Sequence, residues 1–351
     1  MEGRALAPGP SPEQIRTLRA ENPQARSRDL AAAHGLTEAA LVAAHVGHGA
    51  TAIDPHPDRI LPHVAGMGEV MALTRNESCV HEKVGVYSDY RPGEIAAMVL
   101  DPDIDLRIFP AHWKHAFAVV EESGNGPKRS VQVFDAAGDA VHKIFLREAS
   151  DVAAFQRMRT ELALPAQAEA LVLQPRRPVE GPKGDPSRRQ ELRATWARMT
   201  DTHQFLKMVR DLGMNRLGAN RAVGAPHSVP LTRDAVTVAL QHASAQKVPV
   251  MIFVGNMGCI QIHGGPVDRI VPMGPWINIL DPRFDMHLRT DHVAEVWLVE
   301  KPTRSGLAIS VEAFDAEGML ILQIFGYRKD TPAAPWNVLC AGLPRLEEVP
   351  A

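Results

Sequence analysis

VMALTRNESC at residues 70–79 and VMIFVGNMGC at residues 250–259 are one phrase written twice, 180 positions apart. Extended at that constant offset without a gap, the alignment pairs residues 70–147 with 250–327. Identities fall at 21 of these 78 positions and come in blocks: Val70-Met71 with Val250-Met251, Asn76 with Asn256, Cys79 with Cys259, Leu100-Asp101-Pro102 with Leu280-Asp281-Pro282. Ser130-Val131 and Phe134-Asp135-Ala136 recur as Ser310-Val311 and Phe314-Asp315-Ala316. Solenoid units are far shorter, so this is duplication of a domain. Whatever fold one copy adopts, the other adopts too.

Working outward, each copy reads as strand, tight turn, strand: ISVEAF, DAEG, MLILQIFG in the second and RSVQVF, DAAG, DAVHKIFL in the first. Asp and Gly suit a short hairpin connection. VPVMIFVGN and HVAEVWLVE add strands. A helical block precedes each β-block. The first opens on Ser11, Pro12 and Gln14, an N-cap, an N1 proline and a capping-box partner, and runs through IRTLRAENP and SRDLAAAHG. The second opens on Asp185-Pro186 and runs through RRQELRATWARMTDTHQFLKMVRDLG. QPRRPVEGPKGDP, dense in Pro, Gly and charge, is the linker. The expected class is α+β, with helices and then a large antiparallel sheet, twice. The expected units are an N-terminal repeat over 1–172, a linker over 173–187 and a C-terminal repeat over 188–351. Such halves are expected to pack about a pseudo-twofold axis beside a cleft, where equivalent positions diverge in role: Arg107 matches His287, and His142 matches Leu322.

Composition narrows the function. With 38 Lys and Arg against 41 Asp and Glu, the net charge of −3 argues against general attraction to nucleic acid or anionic membranes. Cys79, Cys259 and Cys340 are too few and scattered for a disulfide framework and read as reduced thiols of a cytoplasmic protein. The opening MEGRALAPGPSPEQ lacks the apolar core of a signal peptide, and no apolar run is long enough to insert into a membrane. CxxCH is absent, which excludes covalent c-type heme. GxxxxGK[ST], GxSxG and HExxH are absent too, and no GxGxxG opens a helix. Fifteen histidines against three tyrosines invite a search for metal sites.

Leu192, Trp196, Met199, His203 and Leu206 fall at helical spacing. His203 is therefore expected on an apolar, aromatic helix face, either as a core histidine bonded to a neighbour or as a heme axial ligand. Asp201, two residues away, is expected to point elsewhere. His112 and His115 would face opposite sides of a strand, poor geometry for one metal. Arg107, between Leu106 and Ile108, is expected either in a cleft or in a surface ion pair. Lys301, Gln323 and Arg328 lie on or after strands, where cations grip carboxylates.

Long strings resemble one family. FVGNMGCIQIHGGPV, MGPWINILDPRFDMHLR, VWLVEKPTRSGLAISVEAFDAEG and QIFGYRK are similar to the bacterial cytoplasmic heme-utilisation proteins of the HemS/ChuS/HmuS type, the hemin-degrading factors. ALTRNESCVHEKVG, IDLRIFPAHW and FDAAGDAVHKIFLR resemble the family's N-terminal copy, so the likeness spans residues 12–345. The resemblance implies one non-covalent heme b. It implies His203 as the axial iron ligand, from a W-x-x-[ML]-T-D-x-H-x-F segment running Trp196 to Phe205, and Arg107 of DLRIF as the distal arginine. It implies Lys301, Gln323, Arg328 and Arg216 as contacts to the propionates and heme edge, with Phe253 as an apolar wall. Family members can carry a tyrosine just before the Gln of QxFG, where this chain has Leu322, a departure expected to remove one polar heme contact. The implied role is carrying heme for iron utilisation, promoting its degradation, or both. An ABC importer upstream and a heme oxygenase or reductase downstream are the implied partners. The alternatives are a mainly reductant-dependent, heme-degrading enzyme and, more remotely, a non-heme metal or structural double domain.

Overall fold

The computed structural model describes residues 9–124, 126–327 and 333–346. The first repeat opens with α1 (Pro12–Glu21), α2 (Ser27–Ala33) and α3 (Glu38–Ala43), then β1 (Ala50–Ile53) and α4 (Pro57–Ala65). Its strands continue as β2 (Val70–Arg75), β3 (Cys79–Gly85), β4 (Tyr90–Arg91), β5 (Ala97–Leu100), β6 (Asp105–Ile108), β7 (His115–Glu121), β8 (Lys128–Phe134) and β9 (Ala140–Leu146), and α5 (Val152–Glu161) closes it. The second repeat copies this plan with α6 (Arg189–Ala197), α7 (Gln204–Asp211), α8 (Arg216–Val223), β10 (Ser228–Leu231) and α9 (Ala235–Ala245). There follow β11 (Val250–Gly255), β12 (Cys259–Gly265), β13 (Ile270–Met273), β14 (Trp276–Asp281), β15 (Phe284–Arg289), β16 (Glu295–Thr303), β17 (Gly306–Phe314), β18 (Leu320–Gly326) and α10 (Ala334–Ala341).

Local signals behave as chemistry requires. Ser11 and Gln14 form a complete capping box on α1. The hairpins DAAG and DAEG turn on Gly138 and Gly318, whose φ of +85° and +84° lie in the region that favours glycine. The fold class is α+β with two large antiparallel sheets. The sheets, however, do not follow the division at 172 and 187. Sheet I has the order β1-β7-β8-β9-β2-β3-β15-β14-β13, and sheet II the order β10-β16-β17-β18-β11-β12-β6-β5-β4. Each repeat thus lends a three-stranded flap to the other's sheet, through β15 on β3 and β6 on β12.

The exchange is sealed by contacts that repeat about the pseudo-twofold axis. Asn76 Nδ2 donates to the carbonyls of Gly255 and Ile321 at 3.2 and 2.8 Å, and Asn256 Nδ2 to those of Arg75 and Val141, both at 2.9 Å. Those acceptors are themselves 180 residues apart, the signature of an isologous interface. On the axis, Lys83 Nζ meets its own equivalent, His263 Nδ1, at 3.4 Å.

The inner faces of the two sheets form the main core. Ile252, Val254, Val311, Leu322 and Ile324 pack with Ile277, Met286 and α9–α10 on one side. Ala72, Val131 and Ile144 pack with Val99, Leu106, Ile108 and α4–α5 on the other. Each Val, Leu, Ile or Met among these contributes about 1.5–3 kcal/mol through burial. Helices α6–α8 instead cover the outer face of sheet II, where Leu192, Trp196, Phe205 and Val209 pack on Trp297, Val299 and Phe314. Among the described residues, no helix is long and apolar enough to cross a membrane.

Candidate functional site

Directly opposed residues of an antiparallel sheet share a face. The registers therefore place Trp297, Glu312, Gln323, Phe253, Ile262 and Asp105 in one row across the outer face of sheet II. Arg107 lies opposite Ile260 on the same face. The strand exchange is what carries this first-repeat arginine to the second repeat's sheet. Helices bury the row at β16 and β17, while Gln323, Phe253, Ile260 and Arg107 remain partly exposed. The outcome is an apolar floor beside a helical wall.

His203 is not on a continuous helix. The chain breaks after α6, and the ring sits at the N-cap of α7, 91% exposed. The apolar face expected from spacing stops at Met199, for Leu206 is exposed as well. Asp201, expected to point away, accepts from His203 Nδ1 at 2.7 Å and from its backbone N–H at 2.8 Å. These bonds hold the Asp201 carboxyl below its usual range. An ionised carboxylate only accepts, so Nδ1 carries the proton. In the neutral ring Nε2 then carries the lone pair, as a carboxylate-supported metal-binding histidine requires. Thr200 to His203 form a capping turn, and a buried aromatic pair, Trp196 and Phe205 at 5.0 Å, anchors the helix behind it.

The remaining expected groups divide. Arg107 is ion-paired with Asp105 on its own strand. Phe253 and Gln323 line a cavity of about 470 Å³ with Ile260. Arg216 lines an adjoining cavity of about 880 Å³, and Val179 of the linker borders both. His203, Arg107 and Lys301 line neither. Lys301 is 2% exposed and donates to Glu312 Oε1 at 2.6 Å, so it is turned inward in this structure. Arg328 lies outside the described residues. Leu322 points into the core between the sheets, away from this face. Its equivalent His142 is likewise buried. His112 sits in a 3-10 turn and His115 opens β7. Among the described residues, no group of three or more His, Cys, Asp or Glu is arranged to hold a metal ion.

Glu312 and Asp201 are the residues that sequence reasoning missed or set aside. An acid in the middle of ISVEAF was the available signal for the first. The Thr-Asp-Thr run before His203, a sequence that caps helices more readily than it continues them, was the signal for the second.

The haemin-degrading HemS/ChuX domain model matches residues 35–162 and again 213–343, so His203 lies between the matched segments. The hemin transport protein HmuS of Yersinia pestis is 35% identical over 91% of this chain and 92% of its own length. The structure of holo-PhuS, a heme-binding protein from Pseudomonas aeruginosa, superposes with a TM-score of 0.91 at 39% identity, covering 96% of this chain and all of that one. The structure of ChuS, an Escherichia coli heme oxygenase, superposes with a TM-score of 0.84 at 31% identity, covering 94% and 99%.

Proposed function

The chain belongs to the haemin-degrading HemS/ChuX family, and on that premise we propose that it binds heme on the outer face of sheet II, with His203 as the axial ligand. The observation that carries the reading is the His203 ring itself. It is exposed, with Nδ1 bonded to Asp201 and Nε2 directed away from that bond. Phe253 and Ile260 supply a flat apolar surface, and Arg216 and Gln323 supply donors at the cavity's edge. These groups suit a planar, apolar macrocycle with carboxylate arms, held without covalent attachment as heme b is.

Arg107 approaches from the exchanged strand. A guanidinium has no lone pair and cannot ligate iron, but it can donate to a small ligand. One axial position is thereby left exchangeable. Bound heme supplies an iron centre that takes up O₂ when reduced. The protein's part would be to orient the ring through His203 and to line the sheet side with Phe253 and the donors Arg107 and Gln323. The relatives are described as a transport protein, a heme-binding protein and a heme oxygenase, and these residues serve carriage and degradation alike. In the role we propose, the protein works in the cytoplasm, receives imported heme from an ABC importer, and either passes it to an oxygenase or reductase or promotes its breakdown.

The test is hemin titration of wild type and His203→Ala, followed by reductant with catalase present. The variant should lose the wild-type Soret band and most of its affinity. An unchanged spectrum and affinity would overturn the assignment. In the wild type, Soret loss with release of iron and a tetrapyrrole marks degradation, whereas retention with transfer to an added heme oxygenase marks carriage.

A further inference from the structure

The second-repeat groups assigned above to heme carboxylates converge on a carboxylate of the protein itself. Glu312 is fully buried and accepts from Lys301 at 2.6 Å, Gln323 at 2.8 Å, Ser310 at 3.1 Å, Asn220 at 3.2 Å and Arg216 at 3.4 Å. Lys301 Nζ and Arg216 Cζ lie 4.6 and 5.1 Å from the ring centroid of Phe205, two residues beyond His203. The cluster thus sits behind the start of the helix that presents the imidazole.

We propose that Glu312 is the positioning residue of this site: it gathers Lys301, Arg216 and Gln323 about one point and leaves a surplus of one positive charge, which fits the pocket to a single ligand carboxylate. The inference rests on reading the site as a heme cleft and specifies how that cleft grips its ligand. The charge count is direct, since two cations face one carboxylate. The fold does not demand an acid here. The equivalent position in sheet I is Gln132, a neutral amide that donates to Ser130 Oγ at 3.0 Å. A buried carboxylate is costly to keep unless its partners repay the desolvation. Burial works to raise the Glu312 carboxyl, but Lys301 and Arg216 outweigh it and hold the group at about 2.

The converse effect falls on Lys301. Burial lowers its affinity for a proton, and Arg216 from α8 pushes the same way. Glu312 from β17 opposes both, and Phe205, Asn220, Ser310 and Gln323 around them are neutral. Glu312 thus favours the charged ammonium before any ligand arrives. Without it, burial and Arg216 are unopposed, the ammonium holds its proton less firmly, and a ligand carboxylate favours proton uptake by restoring the counter-charge.

The experiment compares hemin, its monomethyl ester and its dimethyl ester on wild type, E312Q and E312D. Affinity is read from the Soret band, and proton uptake by calorimetry in buffers of different ionisation enthalpy. Loss of a charge-assisted hydrogen bond should weaken the dimethyl ester about tenfold or more in wild type, with the monomethyl ester within about twofold of hemin. Wild type and E312D should take up no proton specific to hemin. E312Q should take up a fraction of a proton with hemin and none with the dimethyl ester. A purely structural role for Glu312 would lower stability while leaving both the ester preference and the proton count as in wild type, and that result overturns the proposal. If E312Q does not fold, R216M leaves Lys301 and Glu312 as a neutral pair and so removes the surplus. Its preference for hemin should then fall to about threefold or less, and an unchanged preference overturns the proposal. A hemin spectrum indifferent to H203A overturns the heme reading and the proposal with it.

Discussion

The outer faces of the two sheets are built from equivalent positions and carry opposite chemistry. On sheet II the N-cap of α7 is His203, and on sheet I the N-cap of α2 is Arg26. The exchanged strand brings Arg107 to sheet II and His287 to sheet I, so imidazole and guanidinium have traded places. Both faces bury one carboxylate between two cations. On sheet II the acid is Glu312 on a strand. On sheet I it is Glu38 on helix α3, bonded to Lys143 at 2.6 Å and paired with Arg75. Strand position 312 is matched by Gln132, 323 by Lys143 and 253 by Leu73. The lesson is that where the acid sits decides what the cations are for. An acid on the helix clamps the helix to the sheet and closes the face. An acid on the strand leaves donors gathered at a cavity's edge.

If that is right, Glu38→Ala should be the most damaging single change. It strands two cations at a 7% exposed position, and breaking a buried ion pair from one side costs about 3–5 kcal/mol. Urea unfolding measures this, and hemin affinity of the folded fraction should not move. A shift in that affinity would mean the two faces are not separate. Next comes acid sensitivity. His142 is buried with Thr74 at 2.8 Å and Tyr87 at 2.6 Å, where its equivalent is Leu322. Burial pushes His142 down to about 3. Its folded value thus lies below the unfolded one, near 6.5. The unfolded chain protonates first, and the neutral ring's contribution is lost as pH falls from 6.5 towards 3. Between pH 7 and 5 this amounts to about 2 kcal/mol. His142→Leu should lower stability at pH 7 yet remove that part of the slope, and an unchanged slope in urea melts at both pH values would count against it. Smaller still, Asp201→Asn keeps an acceptor for the ring but removes its charge. Loss of a supporting partner of this kind costs about tenfold in metal affinity, at the lower end of the usual range. Hemin titration reads it, with Asp29→Asn on α2 as the control expected to change nothing.

Much of this was legible in the chain because it is local. The 180-residue repeat, the capping box at Ser11 and the Asp-to-Gly hairpins rest on neighbours in sequence, and the structure keeps all three. The strand exchange was not legible, because β6 alternates buried and exposed residues in the same way whichever sheet it joins. Only the hydrogen bonds from Ile260 and Ile262 to residues more than 150 positions earlier choose between them. The surroundings of His203 were only partly legible. Spacing from Leu192 to Leu206 fits a helix, but Asp201 competes for the backbone and ends it, which turns the ring outward. Glu312 was passed over because strand alternation assigns it a face without naming its partners, which come from α8, β16 and β18.

The smallest expected effect separates Arg107 from His287. Each faces outward at the same register position, and each is already engaged: Arg107 with Asp105, and His287 Nδ1 with Asn278 Oδ1 at 2.7 Å. On the proposal that His203 holds the iron, Arg107→Ala should change hemin affinity by about threefold or less, the worth of a single modest hydrogen bond. What should change is the exchangeable side: the ionisation of iron-bound water in a pH titration of the ferric spectrum, and the affinity for azide. Asp105→Asn should move both in the opposite direction, because it releases the guanidinium from its strand neighbour. His287→Ala, on the face closed by Glu38, should alter none of these. If His287→Ala shifts the ferric spectrum as much as Arg107→Ala does, the exchanged strands have not divided the chemistry between the faces, and the contrast drawn from Glu38 and Glu312 falls with it.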